Sequence, residues 1–105
     1  VKTLKTITWM GTSRKDITKF PDSAKKVAGT ELMRLQSGMQ PTNSRPMKSI
    51  GRGVFEIKIR VSAGAYRVMY VTRTRDSIVV LHCFEKKSQR TSKADIDIAT
   101  RRLMT

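Results

Sequence analysis

Hydrophobic and polar positions change period along this chain, and each change marks an element. From Val54 the period is two. Phe55, Ile57, Ile59 and Val61 share one phase, and Glu56, Lys58 and Arg60 share the other. Such alternation predicts a strand with one apolar and one charged face. "SAG" turns the chain, and "AYRVMYVTR" predicts a second strand with Arg67 in phase with Met69 and Val71. "TRD" turns it again. "SIVVLHCF", Ser77 to Phe84, is almost continuously apolar, as a central strand should be. The three predict an antiparallel meander.

Upstream, Leu4, Ile7 and Trp9 alternate imperfectly with Thr and Lys, predicting a strand over Lys2 to Trp9 that Gly11 ends. Ser13 followed by Asp16 resembles a capping box at the start of a short helix carrying Ile17 and Phe20. Pro21 interrupts it and suits the start of a second helix, with Asp22 near the positive end of the helix dipole. Ala24, Val27, Ala28, Leu32 and Leu35 recur at helical spacing, predicting a helix over Asp22 to Gln36 with one apolar face. Gly29 inside it costs about 1 kcal/mol against Ala unless close packing offsets this. Gly38 is the expected C-terminal stop. "MQPTNSRPMKSIGRG", Met39 to Gly53, reads as one long loop bearing Arg45, Lys48 and Arg52; loops of this length are usually functional or mobile. At the far end, Thr91 or Ser92 can cap a last helix whose apolar positions are Ala94, Ile98, Ala99 and Leu103.

The predicted order is β-α-α-β-β-β-α in a single α+β domain spanning residues 1–105, without repeats. The helical hairpin should cover one sheet face. The other, carrying Lys58, Arg60 and Arg67, should be open and basic.

Charge changes the picture most. Lys and Arg number 22 against 8 Asp and Glu, a formal +14. That density predicts a strong positive potential and a polyanionic partner: nucleic acid first, a ribosome surface or an acidic protein next, a membrane last. The basic residues are interleaved with apolar ones, so they decorate a fold and not a tail. No basic amphipathic helix with bulky aromatics favours a membrane surface. The N-terminal stretch alternates instead of forming a signal-peptide core. The single Cys83 cannot form an internal disulfide and reads as a small buried hydrophobe, a usage that suits a reducing cytoplasm.

Candidate chemistry narrows quickly. One His, one Cys and scattered carboxylates offer no cluster of metal ligands, and no cofactor is expected. His82 falls mid-strand, where packing or hydrogen bonding is the favoured reading. Basic residues alone can cleave RNA. The 2′-hydroxyl attacks the neighbouring phosphorus while the enzyme removes its proton, stabilises the phosphorane and protonates the leaving 5′-oxygen. Arg suits the phosphate, because its planar fork keeps its charge. Lys suits proton transfer once like charges lower its pKa, which crowding of Lys58, Arg60, Arg67, Lys86 and Lys87 would do. For each of these residues taken singly, a solvated basic face is the competing reading.

The segments "GVFEIKI", "GAYRVMYVTR" and "SIVVLHCFEKKSQRTSKADIDIATRRL", with the N-terminal "W-x-G-x-S-R-K-D-I…F-P", occur in an order and spacing that closely resemble the HigB-like, phage-derived branch of the RelE/ParE toxin superfamily. The resemblance spans nearly the whole chain. It implies that superfamily's fold and a type II toxin that cleaves mRNA in the ribosome. It also implies a small antitoxin partner, usually with a helix-turn-helix DNA-binding domain, which neutralises the toxin and carries it to operator DNA. By this resemblance Lys58 takes the position of an active-site lysine and Arg67 that of the phosphate-contacting arginine. Lys87, or Lys86 one register away, takes that of the basic residue after the last central strand. Gln89 and Thr91 could position RNA, and Tyr66 could stack on bases; Arg60, Arg90, Lys48 and Arg52 extend the basic surface. The superfamily's catalytic C-terminal Tyr has no counterpart, since Lys93 stands nearest and no Tyr follows Tyr70. Core packing is the favoured reading for Phe84, a helix cap for Thr91, strand-to-helix packing for Trp9 and an ion pair with a nearby Arg for Glu56. Two other activities remain open from the sequence: a ParE-like inhibitor of DNA gyrase without nuclease chemistry, and a plain basic nucleic-acid-binding module.

Overall fold

The computed structural model describes residues 3–105. The chain runs β1 (Thr6–Trp9), α1 (Ser13–Ile17), α2 (Asp22–Gln36), β2 (Ser44–Pro46), β3 (Val54–Val61), β4 (Gly64–Thr74), β5 (Ser77–Lys86) and α3 (Lys93–Leu103). The strands form one mixed sheet in the order β1-β5-β4-β3-β2. The β3–β4–β5 meander is antiparallel, and β1 joins the edge of β5 in parallel. The α+β class and the meander agree with the sequence reading. The expected first strand starts later, at Thr6, and its Lys2 lies outside the described residues.

One strand was not expected. Within the long Met39–Gly53 segment, Ser44–Pro46 pairs antiparallel with β3, setting Arg45 opposite Glu56. Three residues are too few to show a period, and Pro46 is confined to an edge strand or strand end because it donates no ladder hydrogen bond.

The sheet is sandwiched. On one side Phe20, Ala24, Ala28, Leu32 and Leu35 pack against Ile57, Ile59, Tyr66, Val68, Tyr70 and Val80. On the other, Met47, Ile50, Ala99 and the partly buried Ile96 and Leu103 cover Val54, Met69, Val71, Leu81 and Phe84. The second face is therefore only partly open, a correction to the expected bare basic sheet. The physical cause is that β4 and β5 carry apolar side chains in both phases, and both must leave water.

α2 has the bounds the sequence predicts. Its face differs at Val27, which is exposed, and at Glu31, which is buried and accepts from the Thr42 amide at 2.6 Å and the Thr42 hydroxyl at 2.5 Å. Gly38, at φ 85°, ends the helix. The Gly38 amide donates to Leu35 and the Met39 amide to Arg34, the paired bonds of a Schellman motif. A Cβ at Gly29 would meet no atom within 4 Å. No packing offsets its entropic cost, so Gly29→Ala is expected to stabilise the fold by about 0.5–1 kcal/mol in chemical denaturation.

The α1 cap differs from expectation, and of the two candidates for α3 it is Ser92 that caps. Thr12 flanks α1 and donates to Asp16 Oδ2 at 2.7 Å, while Ser13 is buried and donates to the Val80 carbonyl. Ser92 is the N-cap of α3 and accepts from the Asp95 amide at 3.1 Å. Of the expected α3 face, Ala94 is exposed, and Ile98 lies with Asp97 and Arg101 on the outer side. Ala99 and Leu103 face the sheet as expected, joined there by Ile96.

Candidate functional site

Strand alternation builds the site. On the α3-side face, register sets Glu56, Met69 and His82 in one cross-strand row, Lys58, Arg67 and Phe84 in the next, and Arg60, Ala65 and Lys86 in the third. α3 and Met47 cover the apolar end. The basic end stays uncovered, and there an open concavity is lined by Arg60, Arg67, Lys86, Lys87, Ser88 and Gln89.

Arg67 forms its floor. It is 6% exposed, and its Nη1 donates to the Tyr66 carbonyl at 3.0 Å. Its Nε lies 3.5 Å from Glu56 Oε1 and finds no good hydrogen bond among the described residues. Burial lowers its pKa, as do Arg45 and Arg60, against the pull of Glu56. With a reference pKa above 12, a guanidinium stays charged under such pressure.

Glu56 is the hidden centre of the cluster. Its side chain is fully buried. Oε1 accepts from Arg45 Nε at 3.0 Å, and Oε2 accepts from Thr91 Oγ1 at 3.0 Å. Arg45 Nη2 reaches the same Thr91 hydroxyl at 3.3 Å. One carboxylate thus ties β2, β3, β4 and the lead into α3. The expected pairing of Glu56 with an arginine is present, with two arginines instead of one. Thr91 is not the cap; it is buried as a donor to Glu56.

Lys86 ends β5 at the rim, half-buried, with Nζ donating to the Gln89 carbonyl at 2.6 Å. Its pKa is lowered by burial first and then by Arg67, Arg45 and Lys58, with Glu56 acting in the opposite direction. The like-charge crowding expected from the sequence is therefore realised on Lys86. Lys87 is exposed on the same rim, and Lys58 is half-buried beside Arg67 in its row.

The remaining candidates divide. Gln89 lines both this concavity and a neighbouring one formed with Arg45, Lys48, Arg90 and Thr91. Arg52 lines a separate hollow with Lys48, Gly53 and Phe55. Tyr66 is corrected outright: it is buried on the opposite face, 4.9 Å from the Phe20 ring, and cannot stack on a base at the basic site. Phe84 is buried and stacks on His82 at 4.7 Å. His82 Nε2 contacts Asp95 Oδ1 at 2.7 Å, which pins α3 to β5. Trp9 packs against the helical core. Cys83 is buried, which pushes its thiol pKa up to about 12 and leaves it inert.

Sequence reasoning missed Arg45 as a site residue. Its strand is too short to read, although its place in a basic Pro-flanked loop marked the region. Strand alternation itself carries the signal, because Tyr66 is in phase with Val68 and Tyr70 and out of phase with Arg67.

A small mixed sheet with a helical pair on one face, a C-terminal helix on the other and a basic concavity at the uncovered end makes an α+β domain whose architecture is consistent with an α+β toxin fold. The chain belongs to the family described as Phage derived protein Gp49-like (DUF891), which matches residues 15–104. That family is toxin-like and phage-derived. No curated protein matches the chain. No helix among the described residues is long and apolar enough to cross a membrane.

Proposed function

We propose that this chain is the toxin of a type II toxin–antitoxin pair and acts as a ribosome-dependent mRNA endonuclease without need of a metal. One observation carries the reading: a buried, fixed arginine and a lysine of lowered pKa share one concavity on a rigid sheet. Arg67 is suited to hold the non-bridging oxygens of the phosphate, with its charge partly desolvated and so acting strongly. Lys86, in its neutral form, takes the 2′-hydroxyl proton, a role that suits its place in the concavity and the lowering of its pKa. Lys58, beside Arg67, stabilises the phosphorane and supplies a proton to the leaving 5′-oxygen. Lys87 and Arg60 add charge at the rim. The open site offers few contacts to orient a flexible RNA, so the ribosome supplies that order and free RNA is cut little. An antitoxin with a helix-turn-helix domain would neutralise the toxin and bring it to operator DNA.

Attack by the 2′-hydroxyl leaves a defined signature. Cleavage of mRNA on translating ribosomes by the purified protein is expected to give 2′,3′-cyclic phosphate and 5′-hydroxyl ends. Products with 5′-phosphate ends would contradict this mechanism.

A further inference from the structure

The two concavities that share Gln89 each contain an arginine, and both arginines lean on the same oxygen of Glu56. We propose that Glu56 is a positioning residue that holds Arg67 beneath the reacting phosphate and Arg45 beneath an adjoining phosphate of the same RNA strand. The second concavity is thus a phosphate subsite, with Lys48 and Arg90 at its rim. This rests on the endonuclease reading for the identity of the strand.

A fully buried carboxylate is expensive unless it is paired and hydrogen-bonded; here Arg45 and the Thr91 hydroxyl donate to its two oxygens and the Arg67 guanidinium adds an opposite charge 3.5 Å away. Such a network fixes geometry. Arg45 is held through Nε by Glu56 and through Nη2 by Thr91, and Arg67 through Nη1 by the Tyr66 carbonyl, which leaves Arg45 Nη1 and Arg67 Nη2 without an acceptor among the described residues and available to a phosphate oxygen. Sharing one oxygen, with Nε contacts of 3.0 and 3.5 Å, keeps the two guanidiniums close enough to serve neighbouring phosphates of an extended strand. Thr91, fixed on the other oxygen, anchors the loop that carries Gln89 and Arg90 between the concavities.

The test is binding of a single-stranded RNA whose 2′-hydroxyls are replaced by hydrogen, so that no cleavage can occur. Its affinity is measured across a salt series for wild type, Glu56→Gln, Arg45→Gln and a control on the far face, Lys26→Gln. Glu56→Gln removes a negative charge, so simple electrostatics calls for tighter binding. The positioning role demands the reverse: weaker binding, by roughly tenfold, in a variant that circular dichroism shows to be folded. Arg45→Gln is expected to flatten the log–log salt slope by about 0.7, the loss of one phosphate contact, and Lys26→Gln to leave it unchanged. Tighter binding by folded Glu56→Gln overturns the proposal, as does an unchanged slope in Arg45→Gln. If Glu56→Gln does not fold, the slope of Arg45→Gln decides alone. Wild-type cleavage on ribosomes is assayed separately, so absence of nuclease activity and absence of the second subsite are distinguishable.

Discussion

Lys86→Gln is expected to cut mRNA on ribosomes about 10²–10³-fold more slowly than wild type, while its melting temperature stays within a few degrees. The rate loss is that of removing a general base. The small stability change follows from the position. Lys86 sits at a strand end, and its pKa is lowered because burial and its cationic neighbours disfavour its charge. Because its folded pKa lies below the unfolded value, the unfolded chain binds more protons in that window. The penalty is fully present at pH values below the folded pKa and is relieved as pH rises through it toward the unfolded value. Removing the charge therefore relieves repulsion and offsets the lost hydrogen bond to Gln89. The same lowering sets the direction of the rate profile: cleavage rises with pH as neutral Lys86 forms, and the rise is absent in Lys86→Gln. A steep fall in melting temperature, or a pH profile unchanged from wild type, would count against Lys86 as the base.

The second large effect is on stability. Glu56→Ala is expected to destabilise the fold by about 3–5 kcal/mol, read as a shift of the denaturation midpoint. The truncation leaves Arg67 buried beside Met69 with its charge uncompensated, and frees Arg45 and Thr91 together. Typical domains hold only about 5–15 kcal/mol in total, so one side chain then decides a large share of the fold's margin. Arg45→Ala, whose side chain is partly in solvent, is expected to cost far less because Arg67 still neutralises Glu56. Equal losses from the two variants would show that the carboxylate is not the centre of the network.

Much of this architecture is legible in the sequence because it is written in local periods. The β3 alternation places Glu56, Lys58 and Arg60 on one face, and the Arg67 phase of β4 places it with them. α2 is bounded by Pro21 and Gly38, which act through the backbone and need no tertiary partner. What escaped was set by long-range pairing. β2 exists only because β3 offers it an edge, and Arg45 becomes a site residue only through that pairing. Thr91 reads as a cap from its neighbours, yet Ser92 takes that role because Glu56, thirty-five positions upstream, claims the Thr91 hydroxyl. On α3, Ala99 and Leu103 meet the sheet as their spacing predicts, but Ile96 joins them against Leu81 and Val71 while the apolar Ala94 and Ile98 do not. Glu56 was read as an ion pair and proved to be the hub, since one residue's partners across three other elements have no local signature. "EKKSQR", a basic loop by composition, resolves into a strand end at Lys86, an exposed Lys87 and a Gln89 shared by two concavities.

Cleavage of translated mRNA at the Arg67–Lys86 concavity is the proposal on which the predictions of activity depend. The direct measurement is a transcriptome-wide map of mRNA 5′ ends after induction in cells, comparing wild type with Lys86→Gln and Arg67→Gln. Wild type is expected to give new ends phased to codons inside translated messages, and both variants to lose them. Intact messages accompanied by broken chromosomal DNA would contradict it and point to poisoning of DNA gyrase.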